Sequence, residues 1–363
     1  MQTGVSYFSS RDIRHYRADL REMQDIGCTY VVHCFTETDL LYYREAVRDI
    51  AVATRAAGLE VWFDPWGQAG IFSGETLTRF PLDHPEAWQV LSDGRRVAAA
   101  CPNHPATREF VRAWVDACAE AGGEVLFWDE PHFYTGLWAR DFTPAWGCYC
   151  DECLGRFRDR FGGEMPHEFT AEVKAFREET LIDVLTEMCR HGHAKGMRNA
   201  LCLIPTDLTE DGFPEPTERL RGVIEQRMPG APASSVEAMM HIGVGDFDRA
   251  AAIPDLDIFG TDPYWYLFGV DPERFMRLYS EEAAASAKKH EREMQLWLQA
   301  FRVPAGREEE LRMGARVAEE VGATHLAAWS FRATESMSIR CADSEAVWRI
   351  VCEEFRRVSA SRR

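Results

Sequence analysis

The sequence lacks several features, and each absence excludes a class of protein. The N-terminus, MQTGVSYFSS, has no basic segment followed by an apolar one, so we expect no secretory signal. No apolar run approaches the roughly 18 residues that are needed to span a bilayer. No sustained cluster of Lys and Arg occurs, and the net charge of −18 predicts a surface that repels nucleic acids and anionic membranes.

A glycine-rich phosphate loop is also missing. The stretch GVGDF, at residues 243–247, lacks the later glycine of a dinucleotide-binding fingerprint, so we expect no organic cofactor. The context for disulfide bonds is missing too. Eleven cysteines without an export signal predict a cytoplasmic protein whose thiols are free or bound to a metal.

What the sequence does contain is a regular alternation of short apolar runs with longer amphipathic stretches. The apolar runs lie at residues 4–8, 29–35, 59–64, 124–130, 200–205, 256–262, 294–300 and 324–330. Each run is continuously apolar, as in strands that are buried on both faces of a parallel sheet. The alternation predicts an α/β fold, a single (β/α)₈ TIM barrel over residues 1–363, with a doubly wound open sheet as the alternative.

Helical patterns with recognisable caps fill the intervals between these runs. They lie at residues 12–27, 39–58, 104–123, 271–290, 306–322 and 343–358. Residues 206–255 contain loop-like stretches, and we expect DLTEDGFPEPTE, at 207–218, to cover the mouth of the barrel. A Cys-rich insertion is expected after the fourth strand, at about residues 135–165.

Acidic residues stand where the predicted strands end, and in this fold the active site forms at the C-terminal ends of the strands. Asp64 ends the third strand, Asp129 and Glu130 end the fourth, and Asp262 ends the sixth. A buried carboxylate without a partner costs several kcal/mol, so these four residues are candidate catalytic groups. The proximity of Asp129 predicts the raised pKa that Glu130 needs as a general acid. Asp207 is a weaker candidate, and the same acids can instead hold a magnesium ion.

Aromatic residues accompany the acids at the predicted strand ends. Flat aromatic faces suit the C–H faces of sugar rings, while carboxylates bind sugar hydroxyls, which predicts glycoside chemistry. For each single tryptophan, packing of the barrel is the alternative. The candidate substrate-binding residues are His132, Trp66, Tyr264, Trp265, Gln299, Trp329 and Arg332.

Three closely spaced cysteines form the second informative motif. Cys148, Cys150 and Cys153 have the spacing C-x-C-x₂-C, and tetrahedral zinc needs a fourth ligand, for which Cys101 is the best candidate. Such a site is closed and structural, and it fixes the loop after the fourth strand. A group of unligated thiols is the alternative.

These motifs carry a resemblance to a known family. The stretch CPNHP at 101–105, the acidic strand end and CYCDECLGRFRDRFG at 148–162 resemble the glycoside hydrolase family 42 β-galactosidases, mainly over residues 95–163. The resemblance implies that the four cysteines bind zinc and that Glu130 is the acid/base residue, with Asp129 in place of the family's Asn.

The chain also departs from the family. Gln299 stands where the family has its nucleophilic Glu at the end of strand 7, and an amide cannot form a glycosyl ester. We also expect the family's later domains to be absent. The sequence therefore indicates a related barrel glycosidase, without implying β-galactosidase activity.

Three functions remain open on the sequence alone. The first is an inverting hydrolase of a small glycoside or oligosaccharide, with Glu130 as general acid and Asp262 or Asp64 as base. The second is a substrate-assisted retaining hexosaminidase, because the adjacent Asp129 and Glu130 resemble the pair in family 20. The third is a non-hydrolytic or metal-dependent sugar-binding barrel. We expect a carbohydrate partner, no nucleic acid and no membrane, with a monomer and a homo-oligomer both left open.

Overall fold

The described part of the chain comprises most of its length. The computed structural model describes residues 1–136, 143, 145–205, 222, 225–227, 229–230, 233–268 and 270–361. The loop predicted at 207–218, including Asp207, lies outside these residues.

Eight parallel strands form a closed barrel, which confirms the predicted (β/α)₈ fold. In chain order the strands are β1 (Gln2–Tyr7), β2 (Tyr30–Cys34), β3 (Glu60–Asp64), β4 (Trp88–Val90), β5 (Arg96–Ala100), β6 (Val125–Asp129), β7 (Arg198–Leu203), β8 (Ile258–Thr261), β9 (Glu293–Gln299) and β10 (His325–Trp329). The barrel order is β1-β10-β9-β8-β7-β6-β3-β2. All eight apolar runs are barrel strands, and the open-sheet alternative is excluded. The sequence did not predict β4 and β5, which form an antiparallel hairpin.

The helices surround this barrel. They are α1 (Ile13–Asp25), α2 (Glu37–Tyr42), α3 (Arg44–Ala56), α4 (Phe80–Asp83), α5 (Pro105–Ala121), α6 (Asp151–Phe161), α7 (Ala171–Ala194), α8 (Ala233–Met240), α9 (Phe247–Ala251), α10 (Trp265–Phe268), α11 (Pro272–Lys289), α12 (Glu310–Glu320) and α13 (Ser344–Ala360). None of the helices within the described residues has both the length and the apolar composition needed to cross a bilayer.

The six predicted helical patterns are helices, with several differences elsewhere. The pattern at 39–58 is divided into α2 and α3 at Tyr43, and the stretch 206–255 contains α8 and α9 as well as loops. The sequence patterns also missed the short helices α4 and α10, the helix α6 in the Cys-rich insertion, and the long helix α7. Its buried residues include the consecutive Phe176, Arg177 and Glu178, because it is covered on more than one side, and this broad buried surface hides the usual amphipathic stripe.

The barrel interior is packed with large side chains. Residues alternate between the interior and the helix layer along each strand, so Tyr30 and Trp62 point inward while Val31 packs under the helices. The rings of Tyr30 and Trp62 stack with centroids 4.5 Å apart, and Gln295 donates a hydrogen bond to the Tyr30 hydroxyl at 3.1 Å. This packing closes the lower barrel and leaves only its C-terminal mouth for a site.

A buried acid anchors the loop between β3 and α4 at this mouth. Glu37 is 4% exposed, and its carboxylate accepts hydrogen bonds from the backbone N–H groups of Ala69, Arg79 and Phe80 and from the Thr78 hydroxyl. Four donors to one carboxylate fix the loop that continues from the end of β3.

Candidate active site

A ring of inward-facing residues lines the C-terminal mouth of the barrel. The strand alternation that places Trp62 and Phe127 in the interior also brings the strand-end residues to the mouth. The ring, one residue per strand, is Phe8, Cys34, Asp64, Asp129, Cys202, Asp262, Gln299 and Trp329. The sequence analysis missed Phe8, Cys34 and Cys202 as site residues, although counting inward positions from Trp62 along paired strands identifies them.

Glu130 joins this ring by leaving the strand conformation. Simple alternation would turn it away from the interior, because Asp129 before it points inward. Its φ of +39° is in the left-handed region, and its N–H donates to the carbonyl of Cys202 at 3.0 Å. The turn brings its carboxyl close enough to Asp262 to raise the pKa of that residue. A backbone conformation this rare for a residue with a side chain is typical of functional sites.

Burial and mutual repulsion raise the pKa values of the aspartates. Burial raises the pKa of Asp262 well above its usual range, and the charge of Glu130 raises it further. Burial, followed by the charge of Glu130, raises the pKa of Asp64, and burial with the charge of Asp64 does the same for Asp129. Raised pKa values of this kind are typical of groups that transfer protons in active sites.

The acids differ in their access to solvent. Asp129 and Glu130 are 8% and 6% exposed, whereas Asp64 and Asp262 are 0% and 2% exposed. The buried Oδ1 atoms of Asp64 and Asp262 have no hydrogen-bond partner, although the Cys34 thiol lies 3.5 Å from the other oxygen of Asp64. Asp129 and Glu130 therefore present the outer surface of the cluster, with the other two acids beneath.

Glu75 is a further acid that the sequence analysis missed. It lies in the loop anchored by Glu37, and its charge raises the pKa of Asp64 and Asp129. Desolvation raises the pKa of its carboxyl, although the residue is exposed, and the positive charge of Arg302 lowers it. Because Glu75 follows β3 by eleven residues, no strand-end pattern marks it; only the folded loop brings it to the mouth.

Aromatic rings form a wall beside the acids. The rings of Trp66 and Phe8 stack with centroids 4.7 Å apart, and the Trp329 ring lies 5.8 Å from Phe8 and 6.2 Å from Trp66. Tyr264 meets Phe301 edge to face at 5.0 Å. The structure thus places Trp66, Tyr264 and Trp329 at the mouth, where a sugar ring can stack on them.

Trp265, Gln299 and Arg332 do not present free groups to the mouth. Trp265 is fully buried in the helix layer, where its indole N–H donates to Glu310 at 3.0 Å. Gln299 is also fully buried, and its amide is occupied by the backbone: it accepts from the N–H of Tyr266 and donates to the carbonyl of Phe301. Packing and backbone bonds use polar atoms of both residues, and their predicted substrate contacts stay predictions.

Arg332 and His132 have structural contacts as well. Arg332 pairs with Glu22 of α1 at 2.7 Å, so its guanidinium reaches the helix layer, and its predicted role in substrate binding stays a prediction. His132 is 7% exposed, and its Nδ1 lies 2.7 Å from the carbonyl oxygen of Glu130. Burial lowers the pKa of His132, so a neutral ring donates this bond and supports the turn at Glu130.

The four cysteines of the predicted metal site converge in the helix layer. Cys101 follows β5, and Cys153 lies in α6, yet their sulfurs are 3.4 Å apart, with the Cys150 sulfur 3.5 Å from that of Cys101. All four sulfurs, with Cys148, lie within 4.8 Å of one another. The separations exceed the roughly 2.05 Å of a disulfide and are close to the about 3.8 Å expected between sulfurs around tetrahedral zinc.

The chemistry of this cluster fits a metal ion. Hydrogen bonds from the other three thiols lower the pKa of Cys150, and Asn103 donates to the Cys153 sulfur at 3.3 Å. The cluster can therefore hold a metal ion. Among the described residues no other group of His, Cys, Asp and Glu has its ligand atoms this close together. The carboxyl groups at the mouth are therefore not such a group.

Comparisons with known proteins support the fold. No protein-family model and no curated protein matches the sequence. Among solved structures, the endo-β-1,4-mannanase from Thermotoga petrophila is similar with a TM-score of 0.61 at 10% identity, covering 100% of this chain and 77% of that one. The endo-1,4-β-mannanase from Rhizomucor miehei has a TM-score of 0.59 at 9% identity, covering 98% and 95%.

A third similar structure is the glycoside hydrolase domain of PgaB (BpsB) from Bordetella bronchiseptica. Its TM-score is 0.57 at 14% identity, and the match covers 97% of this chain and 99% of that one. At such identities the likeness establishes the (β/α)₈ barrel alone. The resemblance to glycoside hydrolase family 42 stays a prediction.

Proposed function

We propose that the protein is a glycoside hydrolase. The observation that carries this proposal is the cluster of buried carboxyl groups around Glu130, which lies at the barrel mouth beside the aromatic wall of Trp66 and Trp329. A carboxyl group that holds a proton next to a sugar-binding surface is what protonation of a glycosidic oxygen requires. The mannanases and the PgaB domain among the similar structures support the same class.

Glu130 is the proton donor in this proposal. It is more exposed than Asp262, which lies beneath it. A glycosidic oxygen that binds against Glu130 receives its proton as the C–O bond breaks, and a water molecule attacks the anomeric carbon and gives up its proton to the base. In the inverting route this base is Asp262 or Asp64, ionised when the substrate is bound, and the two carboxyl groups lie about 6.5–9.5 Å apart with the water between them.

Substrate-assisted hydrolysis is a second candidate, favoured by one specific observation. The two acids with exposed surface are the neighbours Asp129 and Glu130, while Gln299 offers no nucleophile because its amide is bonded to the backbone. In this route Asp129 orients a 2-acetamido group of the substrate, whose oxygen attacks the anomeric carbon as Glu130 protonates the leaving group.

Product stereochemistry separates the two routes. A panel of aryl glycosides with and without a 2-acetamido group is hydrolysed, and the first product anomer is identified by NMR. Inversion with no acetamido requirement supports the inverting route with Asp262 or Asp64 as base, whereas retention restricted to acetamido sugars supports the second route. Absence of turnover across α- and β-linked hexosides, hexosaminides and hexuronides contradicts a hydrolase function.

We further propose that the metal is zinc and that its role is structural. Cys101, Cys148, Cys150 and Cys153 would supply all four ligands, which leaves no open position for substrate or water. The ion would supply no step of the reaction and would join the end of hairpin β4–β5 to α6. The eleven free cysteines support a cytoplasmic location, since such thiols persist in a reducing compartment.

A further inference from the structure

A cavity lies beside the barrel mouth, and its lining residues have no role in the reaction proposed above. It has a volume of about 860 Å³ and lies between the loops that follow β9 and β10. Two backbone hydrogen bonds of 2.9 Å join these loops, from Arg302 N–H to the Ile339 carbonyl and from Ala342 N–H to the Val303 carbonyl. Arg302 and Arg340 both line the cavity.

The cavity adjoins the candidate active site. Phe301 and Ile339, next to its lining residues, pack in the same apolar cluster as Tyr264 and Trp329 at the mouth. The positive charge of Arg302 also acts on Glu75, the acid that influences the carboxyl ring. A substrate that reaches Glu130 can therefore extend toward Arg302.

The charges of the cavity are unbalanced. Its two acids are already engaged: Glu335 pairs with Arg332 at 3.5 Å, and Asp343 caps α13 by accepting from the Ala346 N–H at 2.9 Å. Within the described residues, the guanidinium groups of Arg302 and Arg340 have neither an ion pair nor a hydrogen bond, and both residues are exposed. This is unexpected in a chain with 59 acidic residues for 41 Lys and Arg.

The backbone at Arg302 supports a functional reading of the pair. Its φ of +50° is in the left-handed region, which is unfavourable for a residue with a side chain. A glycine would adopt this conformation without strain. Such strain is found where a side chain is held in place for binding.

We propose that the substrate carries a carboxylate, as in a hexuronic acid unit, and that Arg302 and Arg340 bind it. Guanidinium groups match the planar geometry of a carboxylate and form charge-assisted hydrogen bonds with it. This inference rests on the proposed glycosidase function and names the substrate class for that site. The negative surface of the protein repels anions elsewhere, so the two arginines also provide selectivity.

The test compares aryl hexuronides with the matching neutral aryl hexosides. Wild-type protein is expected to prefer the hexuronide, and R302Q and R340Q are each expected to raise its KM by about 10- to 100-fold with the neutral hexoside unchanged. R17Q, which removes an exposed arginine of α1, is the matched control and is expected to have no effect. A sulfated hexoside forms a separate arm that distinguishes a carboxylate from another anionic group.

Preference for the neutral hexoside, or equal effects of R302Q on both substrates, overturns the inference. Calorimetry of free hexuronate binding to the E130Q protein tests the arginine site separately from the proposed hydrolase function. Binding that is lost in E130Q/R302Q, together with no turnover of any glycoside, supports the arginine site and contradicts the hydrolase. Turnover of neutral hexosides without hexuronate binding supports the hydrolase and contradicts the arginine site.

Discussion

The carboxyl ring at the barrel mouth and the cysteine cluster in the helix layer both gather acidic groups from distant parts of the chain. Each is buried, and each would be strongly repulsive if every group were ionised. The aspartates relieve this repulsion by holding protons, as the raised pKa values of Asp64, Asp129 and Asp262 indicate. The thiols instead offer the geometry of a metal site.

The surroundings of the two clusters also differ in the polar partners that they offer. Around the cysteines, Asn103 donates a hydrogen bond to the Cys153 sulfur. The charges of Cys148 and Cys153 act on the guanidinium of Arg177. This guanidinium is buried, and burial lowers its pKa to about 10. Around the carboxyls, two buried oxygens have no partner in the described structure. A polar cluster with satisfied partners rigidifies a fold, whereas an unsatisfied one stores free energy that a substrate can use.

The strongest way to break this comparison is to remove the proton donor. Glu130→Gln is expected to lower kcat on an aryl glycoside about 10²- to 10⁴-fold, because an amide cannot deliver the proton. Glu273→Gln, on the surface of α11, is the control and is expected to leave kcat unchanged. Unchanged turnover in E130Q would remove Glu130 from the mechanism.

Substitution of a cysteine in the cluster should lower the stability of the protein. Cys153→Ser is expected to lower the free energy of unfolding by about 3 kcal/mol or more, a part of the roughly 10–16 kcal/mol that zinc supplies in small structural sites. Cys118→Ser is the control, since Cys118 is equally buried but outside the cluster. Metal analysis and denaturant unfolding with and without a chelator measure both effects. A chelator that leaves the stability of the wild-type protein unchanged counts against a bound metal.

Two buried acids, Glu37 outside the carboxyl ring and Asp64 within it, should differ in their effect on stability. Glu37 has four donors, so Glu37→Gln is expected to cost about 1.5–3 kcal/mol of unfolding free energy by placing an NH₂ group against N–H donors. Asp64 has only a thiol contact, so the isosteric Asp64→Asn is expected to be neutral or stabilising. Equal losses in the two variants, measured by urea unfolding at pH 8, would contradict the distinction.

The last prediction concerns the dependence of stability on pH. Because the pKa of Asp64, Asp129 and Asp262 is raised in the folded state, the folded protein binds protons that the unfolded chain releases. This contribution is complete below pH ~4 and is lost as pH rises through the folded-state values, by about 1.4 kcal/mol per pH unit for each proton held. Urea unfolding from pH 5 to 9 should show this decline, and D64N should flatten it. Identical pH profiles for both proteins would exclude the contribution of Asp64.

Much of the site was predictable because strand alternation is a local property. Once the apolar run at 59–64 is read as a strand with Trp62 inward, Asp64 must face the mouth. At Trp265 and Gln299 the strand-end position did not reveal which polar atoms already have partners in the folded protein. Their hydrogen bonds to Glu310 and Tyr266 join residues that lie more than thirty positions apart in the chain.

The sequence by itself determined the eight barrel strands, the acids at their ends and the C-x-C-x₂-C spacing, since each depends on residues that are close in the chain. Only the tertiary structure decided that Glu130 turns back to Asp262, that Cys101 completes the cluster and that Arg302 and Arg340 line one cavity. Closure of the barrel brings these distant segments together, and the relative positions of segments that far apart are fixed by packing rather than by local pattern.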